Sequence, residues 1–137
     1  APSRAVLEGV LGLLPNKTRH QVMDEMRQAI VEGGDEWLRE HFTLEFMYRH
    51  DANVLDPCHA LPTGLQAACR EAGAEGEISA MTASCDSWFY NNQLGIPTVV
   101  FGPGSLGFAH SNDEQIHLDE IGAAAVVLAR FINQWCG

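Results

Sequence analysis

Residues 101–115, FGPGSLGFAHSNDEQ, gather the most suggestive chemistry in the chain. The imidazole of His110 is a group that binds metals or moves protons. Gly102 and Gly104 let a backbone approach a ligand closely or take φ values closed to other residues. The same glycines suit an ordinary turn, and His110 equally suits a loop histidine satisfied by backbone groups. Two familiar motifs are missing. A nucleophile elbow needs G-x-S-x-G, whereas Pro103-Gly104 precede Ser105. A phosphate loop needs a following Gly-Lys-Ser/Thr, which is absent. Serine-hydrolase chemistry therefore has no support.

Other polar residues are weaker candidates. His117-Leu118-Asp119 has the H-x-D spacing that metal sites use, but it sits where the last helix should begin, and Asp119 reads better as a cap. Asp86, between Ser84 and Ser87 at a strand-to-helix turn, suits a polar role behind a site as well as it suits an N-cap. His20, His41, His50 and His59 are scattered and read as surface residues. A catalytic zinc needs about three protein ligands plus water. A two-metal centre needs more, including a bridging carboxylate. By this count the chain offers one good ligand, His110.

The elements that must position these residues alternate in type. The apolar run 6–14, ended by Pro15, reads as a strand. Thr18 and Gln21 form a capping box for a helix with Val22, Met26 and Ile30 on one face, broken at Gly33-Gly34. Asp35 caps a short continuation carrying Trp37 and Leu38. Residues 43–49 alternate, with Leu44, Phe46 and Tyr48 on one face, which is strand periodicity. Residues 54–62 contain two prolines and read as a connection. The next helix, 64–73, should bury Leu65, Ala68, Cys69 and Ala72 and close at Gly73. Ile78 to Thr82 is a short apolar stretch before the turn at Asp86, and 95–101 reads as a buried strand. A last helix from Asp119 should bury Ile121, Ala125, Leu128, Phe131, Ile132 and Trp135. The pattern predicts an α/β fold: β-α-β over residues 1–53, then α-β-α-β-loop-α over 58–137 with a parallel sheet.

Composition narrows the setting. An apolar fraction of 46% over 137 residues is enough for a globular core and argues against disorder. Eighteen acidic against eight basic residues, a net charge of −10, predict no nucleic-acid partner and no anionic membrane surface. No run reaches the ~20 apolar residues needed to cross a bilayer. Cys58, Cys69, Cys85 and Cys136 show no C-x-x-C spacing, which predicts a reducing, cytoplasmic location. The APSRAV start has no signal-peptide character and no initiator Met, so the chain is expected to begin inside a longer one.

Two stretches together resemble a known family. SCDSWFYNNQLGIPTVVFGPGSLGFAHSNDEQI is similar to the closing segment of the zinc-dependent amidohydrolases and exopeptidases, the family of acetylornithine deacetylase, succinyl-diaminopimelate desuccinylase, aminoacylase and glutamate carboxypeptidase. The order matches: an Asp in a turn, G-I-P, F-G-P-G, then A-H followed by an acidic pair. EGVLGLLPNKT resembles the second half of the lid and dimerisation domain inserted in those enzymes. The resemblance implies a zinc-exopeptidase-like fold, with residues 1–53 as half of the lid and 54–137 as the end of the catalytic domain. It implies two zinc ions activating a water, with His110 as the last metal ligand. Gly102, Gly104 and Ser105 would line the substrate pocket, and Asp86 and Glu114 would stand behind these groups. The general-base glutamate and the remaining ligands of the family lie upstream of the matched residues. The implied substrate is an N-acyl amino acid or peptide-like amide, and the implied partner is a second copy of the chain. The chain departs from the family in the lid, where Gly12-Leu13-Leu14-Pro15 replaces an Asn before V-I-P, leaving Arg49 as an alternative cation. As a C-terminal portion with one ligand, the chain is expected to be inactive alone and to self-associate through open sheet edges. A non-catalytic dimerisation or ligand-binding module is the competing expectation.

Overall fold

The computed structural model describes residues 4–47 and 50–137. The chain divides into two compact units, Ala1–Val54 and Leu55–Gly137.

The first unit is built on a helical corner. Helix α1 (Arg19–Gly33) begins as its capping box dictates. The Thr18 hydroxyl accepts from the Gln21 N–H, and the Gln21 side chain accepts from the Thr18 N–H at 2.9 Å. Helix α2 (Glu36–His41) starts on Asp35, whose carboxylate accepts from the Leu38 N–H at 2.8 Å. Arg39 ties the two helices by donating to the Val31 carbonyl at 2.6 Å. Neither helix buries a residue fully. Leu44 and Phe46 are half-buried while residues 43, 45 and 47 are exposed, so the alternation read from the sequence is present as a burial pattern. Tyr48, the third member of that face, and Arg49 lie outside the described residues.

The second unit rests on two helices. Helix α3 (Ala60–Glu71) starts four residues earlier than its apolar pattern suggests, because the imidazole of His59 serves as its cap and accepts from the Leu61 N–H at 3.0 Å. His59 is thus a structural cap and not a surface histidine. The helix ends in a Schellman turn. Gly73 takes φ +74°, its N–H donates to the Arg70 carbonyl, and the Ala74 N–H reaches the Cys69 carbonyl at 2.9 Å. Helix α4 (Leu118–Cys136) packs against α3, and Leu65, Ala68, Cys69 and Val127 form the buried core, flanked by Ala72, Ala74, Val99 and Phe131. Outside that core, Gln134 donates to the Glu71 carboxylate at 2.7 Å.

Three expectations fail here. First, the α/β fold is contradicted: among the described residues there is no strand, and 6–14, 43–47 and 95–101 carry no ladder. A strand exists only when a second backbone supplies its N–H and C=O partners, and none is brought alongside these runs. Their apolar residues are correspondingly open, as at Val10, Ile96 and Val100. Second, α4 does not bury the face read from its pattern. Val127 is 1% exposed, whereas Ile132 and Trp135 are 56% and 52% exposed. The helix is apolar on most sides, and among the described residues α3 is the helix packed on it, with Val127 buried and Phe131 against that core. Third, the turn after Asp86 does not lead into an α-helix. It becomes a π-turn over Phe89–Gln93 with Trp88 at its N-cap position.

Candidate functional site

The candidate residues all fall in the second unit: Asp86 just before the π-turn, and Gly102, Gly104, Ser105, His110 and Glu114 between the π-turn and α4. Thr98 enters the latter segment. The Asn91 side chain, on the π-turn, donates from Nδ2 to the Thr98 carbonyl at 3.0 Å, while its Oδ1 accepts from the Thr98 N–H at 2.9 Å. One side chain thus replaces the two bonds that a neighbouring strand would make. The Ile96 N–H reaches back to the Tyr90 carbonyl at 2.8 Å and completes the attachment.

Beyond Thr98 the chain is exposed from Val100 to Phe108. Gly104 takes φ +90°, a conformation that L side chains adopt only at a cost. Its N–H donates to Oε2 of Glu120, in the first turn of α4, at 2.9 Å. Ser105 caps a 3₁₀ turn (Leu106–Phe108), its hydroxyl accepting from the Gly107 N–H at 3.2 Å. His110 is a left-handed residue with φ +60°, a region that histidine tolerates better than most non-glycine residues. Its backbone N–H donates to Oε2 of Glu114 at 3.2 Å, and its ring is exposed to solvent. The Ser111 hydroxyl donates to the Phe108 carbonyl at 2.7 Å and closes the turn beneath it.

The structure therefore brings Gly104, Ser105, His110 and Glu114 onto one short loop. Gly102 lies in the same exposed stretch with nothing within 4 Å of where a Cβ would stand. Asp86 is exposed at the start of the π-turn, where its carbonyl accepts from the Phe89 N–H at 3.0 Å. Asp119 is not the helix cap read from the sequence. His117 holds that position and Asp119 sits in the first turn beside Glu120, where an acid complements the helix dipole. The sequence reading missed Asn91 and Glu120. Their only sequence signal is an amide in a turn and an acid in a first helical turn, both commonplace until the fold shows what they touch.

A zinc centre does not fit these residues alone. Among the described residues no group of three or more His, Cys, Asp and Glu is gathered closely enough to hold an ion. The one imidazole on the loop falls short of the ligand count a catalytic zinc requires. The four cysteines are free thiols, with Cys69 in the core and Cys58 and Cys136 exposed. No helix among the described residues is long and apolar enough to cross a membrane.

Comparison with known proteins gives the chain its relatives. Residues 4–134 match Peptidase family M20/M25/M40. The chain is 28% identical over 137 residues to N-formyl-4-amino-5-aminomethyl-2-methylpyrimidine deformylase of Bacillus subtilis (strain 168), an alignment covering 89% of this chain and 32% of that protein. It is 26% identical to the deformylase of the same name from Halalkalibacterium halodurans, covering 89% and 31%. The chain thus spans about a third of the length of the curated relatives it matches. No solved structure matches it.

Proposed function

Because the chain belongs to Peptidase family M20/M25/M40, we propose that it forms the C-terminal part of a hydrolase that cleaves an amide bond in a small N-acyl, N-formyl or peptide-like substrate. The family match over residues 4–134 carries this reading. The two relatives, both named as deformylases, favour cleavage of a short acyl group from an amine over cleavage of a long peptide.

In this reading the chain's own residues supply a positioned loop, not a complete centre. His110 contributes one exposed imidazole, as one ligand in a metal site completed by residues outside the chain. Glu114 fixes the backbone from which that imidazole projects. Gly102, Gly104 and Ser105 form a pocket wall without bulky side chains, and Asp86 supports the turn that precedes it. The chain alone is expected to be inactive, since among the described residues no ligand set is gathered around His110. A second copy of the chain is the proposed partner, supported by the exposed apolar run at Val6, Leu7, Val10 and Leu11. A cytoplasmic setting is favoured by the free thiols.

The test uses the natural full-length protein with added divalent metal, assayed on N-formyl-4-amino-5-aminomethyl-2-methylpyrimidine and on a panel of N-acetyl amino acids. Hydrolysis of at least one substrate, lost in His110→Ala together with part of the bound metal, is the expected outcome. A metal-replete protein that cleaves none of them rejects the hydrolase reading, and an unchanged metal content in His110→Ala rejects the role of His110.

A further inference from the structure

Within this chain the loop from Thr98 to His110 has almost no apolar anchorage. Only Val99 packs against the core of the second unit, and Phe101, Leu106 and Phe108 are all substantially exposed. A segment that buries so little is free to sample many conformations unless polar bonds restrain it, because each ordered residue opposes about 1–2 kcal/mol of backbone entropy. Three side chains supply that restraint, each from outside the stretch it holds. Asn91 grips both polar groups of Thr98, Glu120 accepts from Gly104, and Glu114 accepts from His110.

The first two clasps come from separate elements and bracket the Gly102-Pro103-Gly104 turn. Asn91 sits on the π-turn and is half-buried with Thr98, so its two bonds are partly shielded from competing water. Glu120 sits on α4, whose position is fixed by Val127 in the core, and it reaches sixteen residues back to a glycine held at φ +90°. The anchored helix thereby transmits its position to an otherwise unsupported turn. π-turns are themselves uncommon and recur near functional sites, where they redirect the chain beyond them.

We propose that Asn91 and Glu120 are positioning residues: together they set the geometry of the glycine turn and, through it, the placement of His110. The proposal rests on the hydrolase reading for its effect on catalysis, but its structural half stands apart from that reading. Glu120 acts by accepting one N–H bond, so an amide at this position should suffice, whereas a methyl group should not. Asn91 acts by one donor and one acceptor, so Asp at this position keeps the bond from the Thr98 N–H and loses the bond to its carbonyl.

The experiment compares Glu120→Ala, Glu120→Gln, Asn91→Ala and Asn91→Asp in the natural full-length protein, by deuterium uptake of peptides and by steady-state kinetics on whichever substrate the wild type cleaves. Expected for Glu120→Ala is faster uptake, by several-fold, in peptides covering 98–110, with peptides of α3 and α4 as in the wild type. Its kcat should fall about tenfold with KM within about twofold, as for a group that orients catalytic machinery without binding substrate. Glu120→Gln should restore both, and Asn91→Asp should fall between wild type and Asn91→Ala. Wild-type uptake over 98–110 in Glu120→Ala and Asn91→Ala overturns the proposal. So does a loss of kcat in Glu120→Ala that tracks faster uptake in α3 and α4, or that Glu120→Gln does not relieve. If the wild type cleaves no substrate, the hydrolase reading fails and uptake alone decides whether the two clasps hold the loop.

Discussion

The α3–α4 pair and the loop beside it are held by opposite means. Between the helices, Leu65, Ala68, Cys69 and Val127 exclude water, and stability there comes from apolar area removed from solvent. Along 98–110 almost nothing is buried, and order comes from side chains that grip single backbone groups. Buried packing is non-directional and tolerates swaps of similar volume, whereas a clasp depends on one donor meeting one acceptor. A loop built the second way keeps its surface open. It also becomes sensitive to substitutions that leave the core untouched.

That contrast can be broken from the core side first. Val127→Asp, placing an unpaired charge at a position 1% exposed, should destabilise the second unit by about 4 kcal/mol or more. Urea unfolding monitored by helical signal checks it, and a shift under about 1 kcal/mol would mean the α3–α4 contact is not the core of that unit. Gly104→Ala should cost less, about 1–2 kcal/mol. The cost arises from φ +90°, because the nearest neighbour of an added Cβ is Ile116 at an unstrained 3.5 Å. Deuterium uptake should show this change in the loop peptides with little effect on α3. Ser105→Ala should be the mildest, about 0.5 kcal/mol, since it removes one exposed cap of a single 3₁₀ turn. If Ser105→Ala instead abolished activity in the full-length protein while leaving uptake unchanged, the hydroxyl would belong to the chemistry and not to the turn.

Local features were legible in the sequence because their causes are local. The Thr18–Gln21 box, the Asp35 cap, the break at Gly33-Gly34 and the closing turn at Gly73 each depend on residues within one or two turns. The Leu65–Ala68–Cys69 face of α3 came from its spacing for the same reason. The α/β prediction failed where it relied on partners. Runs such as GIPTVVF have the composition of strands, yet composition cannot supply the second backbone that a ladder requires.

The site divides along the same line. The sequence by itself determined that a glycine turn, a serine and a histidine followed by an acidic pair lie in one short stretch, and its resemblance to amide-cleaving metalloenzymes agrees with the family match over 4–134. It also determined the Thr18 and Asp35 caps and the closing turn at Gly73, but not the His59 and His117 caps of α3 and α4. Only the tertiary structure decided that α4 turns Val127 inward and leaves Trp135 out, that Glu120 takes the Gly104 N–H, and that Asn91 stands in for a missing strand at Thr98. Those outcomes depend on which surfaces meet, and a helix apolar on most sides or a carboxylate in a first turn is equally compatible with several neighbours until one of them arrives.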